Sequence, residues 1–467
     1  MASPISDDSE TWAWKLVMED GGPIKAPVTV KYTKLFINGE FVDSVSGKTF
    51  ETFDPRTEET ITSVSEATSE DVDLAVKAAR AAFDHGPWPR MSGQERGRIL
   101  HKYADLLLQH LDEIAALETW DSGKPLDMVK MGDVPTSANI MRYYAGYADK
   151  IHGLTLKMSG QYQGYTLHEP IGVCGQIIPW NYPLLMFFSK ISPALACGCT
   201  VVIKSAEQTP LTALYCAHLS REVGIPPGVL NVLSGFGETT GATISKHMDI
   251  DKIAFTGSTE VGRLVMEAAG RSNLKDVTLE LGGKSPLIIM DDFDIDEAIN
   301  IAHRAAYVNM GQICMAGSRV FVQETVYDEF VKKIIKRVQK QVVGDPFKEG
   351  VQHGPQDNMR IAQEEIFGPI MSILKFKTIE EVIERGNKTI YGLVAGVLTN
   401  NINTANRIAR SLRAGRVWIN SFYASSPDCP LGGYKMSGIG RELGLKGLES
   451  YLQVKCVITP LQESPWL

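Results

Sequence analysis

Hydrophobic positions near the start of this chain first alternate and then repeat at helical spacing. The segment 35–42 predicts two short strands around an Asn-Gly turn, because both turn residues tolerate positive φ. Thr68 and Asp71, a weaker form of the capping box, predict the start of a helix with one apolar face. A second capping box at Ser92 predicts a helix that runs toward Glu118.

From residue 171 the pattern changes to short apolar runs that alternate with helical segments. The runs that predict buried strands are 171–178, 200–204, 229–233, 253–256, 287–290, 319–323, 371–376, 394–398 and 416–419. The helices predicted between them are 210–223, 259–269, 296–309, 327–341 and 402–412. This alternation predicts an α/β fold with two doubly wound units built on mostly parallel sheets.

The chain is long enough for several such units, since 467 residues exceed one ordinary core. We expect a mobile tail over 1–33, a first unit over 34–151 and 171–282, and a second over 283–442. The segments 152–170 and 443–467 have little local core, which suits arms that pair with another subunit.

Composition and charge narrow the class of protein. Hydrophobic residues make up 44% and the net charge is −8, which favours a soluble protein and argues against a nucleic-acid partner. The seven cysteines form no C-x-x-C pair, so we predict a reducing compartment, no disulfide framework and no metal site. The apolar stretch 182–203 contains Lys190 and two prolines, and the acidic first residues match no targeting signal. We therefore predict a cytoplasmic protein without a membrane partner.

Two segments carry the features of a phosphate-binding turn. Residues 255–262 form a predicted strand that turns through Gly257-Ser258 into a helix, whose first N–H groups can hold a pyrophosphate. A helix cap by Ser258 is the plainer and commoner explanation. The segment 235–241 misses the G-x-G-x-x-G pattern, because its last glycine comes one residue late.

Cys314 and Glu280 are the candidate reaction residues. A thiolate is a strong nucleophile, and a carboxylate can take a proton from water. Most cysteines are structural, but Cys314 lies in a glycine-rich segment where backbone can approach a ligand closely. Glu280 can also be a plain sheet-end carboxylate and Asn181 a plain turn residue. A Cys–His hydrolase is the competing enzyme class, although no histidine lies near Cys314 in sequence.

Several motifs together resemble the aldehyde dehydrogenase superfamily, most closely its plant cytosolic family 2 members. They are Pro179-Trp180-Asn181-Tyr182-Pro183, Leu279-Glu280-Leu281-Gly282-Gly283-Lys284, Gly311-Gln312-Ile313-Cys314, Glu364-Glu365-Ile366-Phe367-Gly368-Pro369, Gly432-Gly433-Tyr434-Lys435-Met436-Ser437-Gly438 and Ser464-Pro465-Trp466. The resemblance covers nearly the whole chain. It implies a Rossmann-like NAD-binding domain, an α/β catalytic domain and a small oligomerisation arm.

The resemblance also implies roles for individual residues. Cys314 would attack an aldehyde, Asn181 would stabilise the oxyanion, and Glu280 would activate the water that releases the acid. Lys204 and Glu207 would hold the adenosine ribose, and Glu207 would disfavour NADP. The implied NAD contacts are Ile178, Pro179, Trp180, Lys204, Glu207, Gly237, Gly257, Ser258, Gly262, Leu281, Glu365 and Phe367. The implied assembly is a homotetramer, a dimer of dimers.

This chain departs from the family pattern at Gln356-Asp357, where family members carry several dozen more residues. The missing piece would hold a helix, a loop and strand-forming residues of the catalytic domain. Losing it exposes apolar surface, at a cost that can exceed the roughly 5–15 kcal/mol stability of a domain. The alternative function is therefore a catalytically impaired, spliced subunit that retains NAD binding or associates with intact subunits.

The substrate side of the site is predicted from apolar residues near the candidate nucleophile. They are Met186, Met310, Ile313, Met315 and Phe422. An apolar tunnel accepts aliphatic and aromatic aldehydes alike, so only a broad aldehyde class follows.

Overall fold

The computed structural model describes residues 28–340 and 364–461. The first 27 residues of the predicted tail, the Gln356-Asp357 junction and the Ser464-Pro465-Trp466 ending lie outside the described residues. No helix within the described ranges is both long and apolar enough to cross a membrane.

The elements alternate along the chain much as the sequence pattern predicts. The strands are β1 Leu35–Ile37, β2 Glu40–Val42, β3 Thr49–Phe53, β4 Thr60–Ser65, β5 Thr155–Leu156, β6 Tyr162–Pro170, β7 Val173–Ile177, β8 Thr200–Lys204, β9 Leu230–Leu233, β10 Lys252–Thr256, β11 Asp276–Glu280, β12 Pro286–Ile289, β13 Arg319–Gln323, β14 Ser372–Phe376, β15 Val394–Leu398, β16 Arg416–Ile419, β17 Gly438–Ile439 and β18 Leu452–Pro460. The helices are α1 Ser69–Asp84, α2 Gly93–Gln109, α3 Leu111–Ser122, α4 Leu126–Met128, α5 Val134–Tyr147, α6 Pro183–Cys197, α7 Leu211–Glu222, α8 Ala242–Lys246, α9 Thr259–Arg271, α10 Ile295–Tyr307, α11 Glu324–Val338, α12 Ile379–Asn387, α13 Ile402–Ser411 and α14 Gly444–Glu449.

The first sheet contains eight strands in the order β17-β11-β10-β7-β8-β9-β1-β2. Its five central strands are parallel, and numbered along the chain they lie in the order 3-2-1-4-5. This order reverses direction between β7 and β10, which is where doubly wound sheets bind ligands. Strands β7, β8 and β10 are buried at every position, which explains their continuous apolar runs.

The second sheet contains five parallel strands in the order β14-β13-β12-β15-β16, again 3-2-1-4-5 along the chain. The segment 281–285 joins the carboxyl end of β11 to the amino end of β12. The carboxyl edge of the first sheet therefore meets the amino edge of the second. Strand β17, from the far end of the predicted second unit, returns to pair with β11.

The two predicted arms pair with each other. All nine residues of β18 lie antiparallel to β6, from Leu452 opposite Pro170 to Pro460 opposite Tyr162. Strand β5 adds to the other side of β6, so β5 and β18 are the edges of this three-stranded sheet. The segments thus satisfy much of their backbone hydrogen bonding on one another within a single chain.

The prediction of one continuous helix from Ser92 toward Glu118 is wrong, because the structure has two helices there. Helix α2 ends at Gln109 and α3 begins at Leu111, because His110 adopts φ −97° and ψ 17°. The His110 imidazole lies 2.8 Å from the Tyr215 hydroxyl on α7, a contact the local sequence does not reveal. The cap at the start of α2 is confirmed, with the Glu95 N–H donating to the Ser92 hydroxyl.

Candidate active site

The predicted cofactor residues gather at the carboxyl edge of the first sheet. Ile178, Pro179 and Trp180 follow β7. Gly257 and Ser258 follow β10, which is the neighbour of β7 at the point where the strand order reverses. The structure therefore brings together, at one edge, loops that lie far apart in the sequence. A dinucleotide site at this edge agrees with the general rule for doubly wound sheets.

The loop after β9 resolves the misfit of its glycine spacing. Residues Gly237–Gly241 form a π-helical turn before α8, and the Gly241 N–H donates to the Phe236 carbonyl oxygen five residues earlier, at 3.2 Å. A π turn accommodates one residue more than an α turn. The late glycine is thus the last residue of the π turn, directly before α8. A Cβ added to Gly237 would meet no atom within 4 Å, so its backbone faces open space.

The turn after β10 has a structural role in capping α9. The Ser258 hydroxyl accepts a hydrogen bond from the Val261 N–H at 3.2 Å, so the capping role is confirmed. A Cβ on Gly262 would lie 2.5 Å from the end of the Leu281 side chain, so a larger residue there requires that leucine to move. The cap leaves other N–H groups of the helix N-terminus available to an anion.

Lys204 and Glu207 form an ion pair at the end of β8, with Lys204 Nζ 3.2 Å from Glu207 Oε2. Lys204 is only 2% exposed, so the alternative of a solvent-exposed pair is wrong for the lysine. Burial lowers the pKa of Lys204, and the Glu207 carboxylate opposes that shift. The ammonium also donates to the Ser205 carbonyl oxygen at 2.7 Å, which fixes its position.

The segment before Cys314 has an unusual backbone. Asn309, Met310 and Gly311 take φ values of 51°, 58° and 70° in succession. Non-glycine residues rarely adopt this left-handed region, and such residues cluster at functional sites. A Cβ on Gly311 would lie 2.1 Å from the Gly368 carbonyl oxygen. The turn therefore packs directly against the segment that carries Glu365 and Phe367.

Asn181 ties the turn after β7 to the cysteine segment. Its Nδ2 donates to the Gln312 carbonyl oxygen at 2.9 Å, and Asn309 Nδ2 donates back to the Asn181 carbonyl oxygen at 3.3 Å. Asn181 is buried, so these bonds are shielded from water. The amide of Asn181 is thus bonded to the residue two positions before Cys314, and its second N–H makes no hydrogen bond to the described residues.

Cys314 lies against the glycines that follow Glu280. A Cβ on Gly283 would lie 2.2 Å from the Cys314 carbonyl oxygen, so the close approach requires glycine. The residue is half-buried, and burial raises the pKa of its thiol well above the usual value. The carboxylates of Glu280 and Glu365 raise that pKa further.

Glu280 ends β11 as a buried carboxyl group that is 4% exposed. Burial, followed by the neighbouring Glu442 carboxylate, raises its pKa to about 8, while Lys190 opposes the shift. Among the described residues, none makes a hydrogen bond to Glu280 Oε1. A buried, poorly hydrogen-bonded carboxyl group with a pKa near the working pH suits a general base.

Glu365 rests on the same glycine segment. Its Oε1 accepts a hydrogen bond from the Gly283 N–H at 3.1 Å, and burial raises its pKa to about 7 against the opposing effects of that N–H and Lys284. The Phe367 ring meets the Trp180 ring edge to face, with centroids 5.5 Å apart. Two predicted cofactor residues from distant parts of the chain are therefore in contact.

Sequence reasoning gave no role to Ser437, which holds the glycine segment in place. This fully buried hydroxyl donates to the Gly282 carbonyl oxygen at 2.6 Å and accepts from the Gly392 N–H at 2.9 Å. The Ser437 carbonyl oxygen also accepts from the Leu281 N–H at 3.0 Å. The motif around 432–438 was visible in the sequence, but its contact with 281–282 was not.

Comparison with known proteins agrees with this geometry. The model of the "Aldehyde dehydrogenase family" matches residues 41–358 and 356–457, two stretches that meet at the predicted junction. Aldehyde dehydrogenase family 2 member B4, mitochondrial, from Arabidopsis thaliana is 54% identical over 95% of this chain and 91% of its own length. Family 2 member C4 from the same plant is 50% identical, over 95% and 98%. The NAD+ complex of a Bacillus cereus aldehyde dehydrogenase superposes with a TM-score of 0.90 at 44% identity, covering 92% of this chain and 97% of that one.

Proposed function

The chain belongs to the aldehyde dehydrogenase family, and we propose that Cys314, Glu280 and Asn181 carry its reaction. The reaction is the oxidation of an aldehyde to a carboxylic acid with NAD as hydride acceptor. The observation that carries the assignment is the packing of Cys314 against Gly283, three residues after the buried Glu280. Nucleophile and base thereby share one glycine-lined site.

The residues at the carboxyl edge of the first sheet fit NAD. Open backbone at Gly237 and the capped turn at Ser258 suit the pyrophosphate, and the buried Lys204 with Glu207 suits the adenosine ribose. Phe367 and Trp180, whose rings are in contact, suit the nicotinamide end of the cofactor. When bound, NAD supplies the acceptor for the hydride that leaves the substrate carbon.

The protein residues perform the remaining steps. Cys314 gives its proton to solvent water, and the thiolate attacks the aldehyde carbonyl carbon, which gives a thiohemiacetal with a negative oxygen. The free N–H of the Asn181 side chain and the Cys314 backbone N–H stabilise that oxygen. Loss of hydride leaves a thioester on Cys314. Glu280 then takes a proton from water, which attacks the thioester and frees the acid and the thiol.

The competing Cys–His hydrolase has no support at this site. Hydrolases of that class pair the thiol with an imidazole, which lowers the thiol pKa. Here the charged groups that most affect the pKa of Cys314 are the carboxylates of Glu280 and Glu365, and they raise it. A thiol with a raised pKa is mostly protonated near neutral pH, so the proposed reaction requires that Cys314 lose its proton before it attacks.

An absorbance assay for NADH tests the proposed function. Purified protein supplied with NAD and either acetaldehyde or a hydroxycinnamaldehyde is expected to form NADH and the matching acid in equal amounts. Absence of NADH with either aldehyde, together with NAD-independent release of acid from an ester of the same acid, would point to a hydrolase instead. The hypothesis of an impaired, shortened subunit stays a prediction, and a rate equal to that of a full-length relative would contradict it.

The substrate side supports a broad aldehyde class. Met310, Ile313 and Phe422 are buried around the cysteine segment, and Met186 and Met315 are half-buried. An apolar lining of this kind selects the aldehyde by shape and burial and not by charge.

Glu207 is proposed to set the preference for NAD over NADP. Its carboxylate would face the ribose hydroxyls, where a 2′-phosphate meets like-charge repulsion. Glu207→Gln is therefore expected to raise kcat/KM for NADP relative to NAD by about tenfold, the equivalent of about 1.4 kcal/mol. Steady-state kinetics with both cofactors measure the ratio. Glu222→Gln at the end of α7 is the control, and an unchanged ratio in Glu207→Gln would refute the assignment.

We also propose a cytoplasmic homotetramer built as a dimer of dimers. Support for the assembly comes from the three-stranded sheet, whose edge strand β18 carries exposed apolar Val454 and Ile458. Exposed apolar residues on an edge strand suit pairing with another chain. Sedimentation equilibrium at four times the chain mass would agree with the tetramer, and a monomer would contradict it.

A further inference from the structure

A small cavity of about 10 Å³ lies at the amino edge of the second sheet, outside the site described above. Its walls are the starts of β12, β13 and β15, the end of α12, and the segment 412–414. The volume corresponds to about one water-sized sphere. The cavity therefore suits a single water molecule or a monatomic ion and no organic ligand.

Two adjacent side chains on the cavity wall have polar atoms without partners. Lys284 and Ser285 are each only 2% exposed. Within the part of the chain that the structure describes, neither Lys284 Nζ nor Ser285 Oγ makes a hydrogen bond. An unsatisfied buried donor is costly, and a charged one more so. Both residues line the cavity, and each carries a side-chain donor that is unused within the described residues.

The nearby arginine adds charge and spends three of its five N–H donors on backbone carbonyl oxygens. Arg319 donates through Nε to the Lys284 carbonyl oxygen at 2.8 Å. Its Nη1 and Nη2 donate to the carbonyl oxygens of Arg385 and Gly386 at 3.1 and 2.8 Å. These bonds cap the carboxyl end of α12 and leave the guanidinium charge at the cavity wall. Arg413 lines the same cavity.

The balance of charge around the cavity is positive. Lys435 donates to the carbonyl oxygens of Asn387 and Thr389, and its pKa is lowered by burial, then by Arg413 and Arg319. Burial, followed by Arg319, lowers the pKa of Lys284, and Glu365 opposes that shift; burial raises the pKa of Glu365 itself to about 7. A carboxyl group that is partly protonated near neutral pH cannot balance these cations.

We propose that this cavity is a binding site for one small inorganic anion of halide size, held by Lys284 Nζ and Ser285 Oγ. A water molecule can accept the same hydrogen bonds, but it leaves the buried positive charge uncompensated. A halide accepts the bonds and supplies the opposite charge. The inference goes beyond the proposed function, because the cavity holds neither Cys314 nor the predicted cofactor residues.

Crystals of the full chain soaked in sodium bromide test the site directly. Diffraction data at the bromine absorption edge are expected to show an anomalous peak within hydrogen-bonding distance of both Lys284 Nζ and Ser285 Oγ. Density at that position without anomalous signal would identify water and overturn the proposal. This test uses the unaltered protein, so it does not depend on any variant folding.

Thermal unfolding gives an independent measurement. At equal ionic strength, chloride is expected to raise the unfolding midpoint by roughly 2–4 °C over gluconate, which is too large for the cavity. Lys284→Met and Ser285→Ala are expected to reduce or remove that difference. Lys252→Met is the matched control, because Lys252 is equally buried but lies over the Tyr451 ring. An equal chloride effect in all four proteins would overturn the proposal.

Discussion

Replacing Cys314 by alanine is expected to abolish aldehyde oxidation, with kcat falling by about 10⁴-fold or more. The reason is that no other described thiol lies in the glycine-lined site between Asn181 and Glu280. Cys174, Cys197, Cys199 and Cys216 are buried in the first unit. The change removes one sulfur atom from a half-buried position, so the fold and NAD binding are expected to persist. NADH absorbance measures the rate, and quenching of tryptophan fluorescence measures NAD binding.

Cys429→Ala is the matched control for that experiment, since Cys429 is likewise half-buried and lies outside the site. It is expected to keep the rate of the unaltered protein. A Cys314→Ala protein that folds, binds NAD and still oxidises aldehyde within about tenfold of the original rate would contradict the role of Cys314 as nucleophile.

Replacing Glu280 by glutamine is expected to lower the steady-state rate by about 10²–10⁴-fold. Glutamine keeps the size of the side chain but cannot take a proton from water. The first turnover should still yield about one NADH per site, because hydride transfer precedes hydrolysis. Rapid-mixing absorbance would show this burst followed by a slow phase. Equal loss of both phases would assign Glu280 to an earlier step or to the fold.

The pH dependence follows from the raised pKa of Glu280. A base with a pKa of about 8 is protonated at lower pH, so the hydrolysis rate should fall about tenfold per pH unit below that value. The dependence should disappear in Glu280→Gln. Glu118→Gln is the matched control, because Glu118 is another buried carboxyl group with a raised pKa, on α3. It is expected to leave the profile unchanged.

The sequence predicted the parallel strands well because burial on both faces leaves a local signal. The predicted strand 200–204 matches β8 at both ends, and 416–419 matches β16. Helix α12 and the division between α2 and α3 escaped prediction. The break at His110 depends on a contact with Tyr215 on α7, far away along the chain, and local propensity does not contain it.

The site was only partly predictable for a similar reason. The motifs alone single out Cys314 and Glu280, and the folded chain places their segments in contact. The sequence gives no indication of the left-handed backbone at Asn309 and Met310, because neither residue is a glycine. The role of Ser437 could not be predicted, because its contact with Gly282 depends on the pairing of β17 with β11 in the first sheet. No local pattern specifies that pairing.

Formation of an acyl group on Cys314 is the step on which the proposed reaction depends most. Glu280→Gln protein mixed with NAD and an aldehyde should accumulate the thioester, since hydrolysis is slowed. After acid quenching and proteolysis, mass spectrometry is expected to find one acyl group on the peptide that contains Cys314, and only when NAD is present. NADH formation with that peptide unmodified, or with the acyl group on another residue, would contradict it.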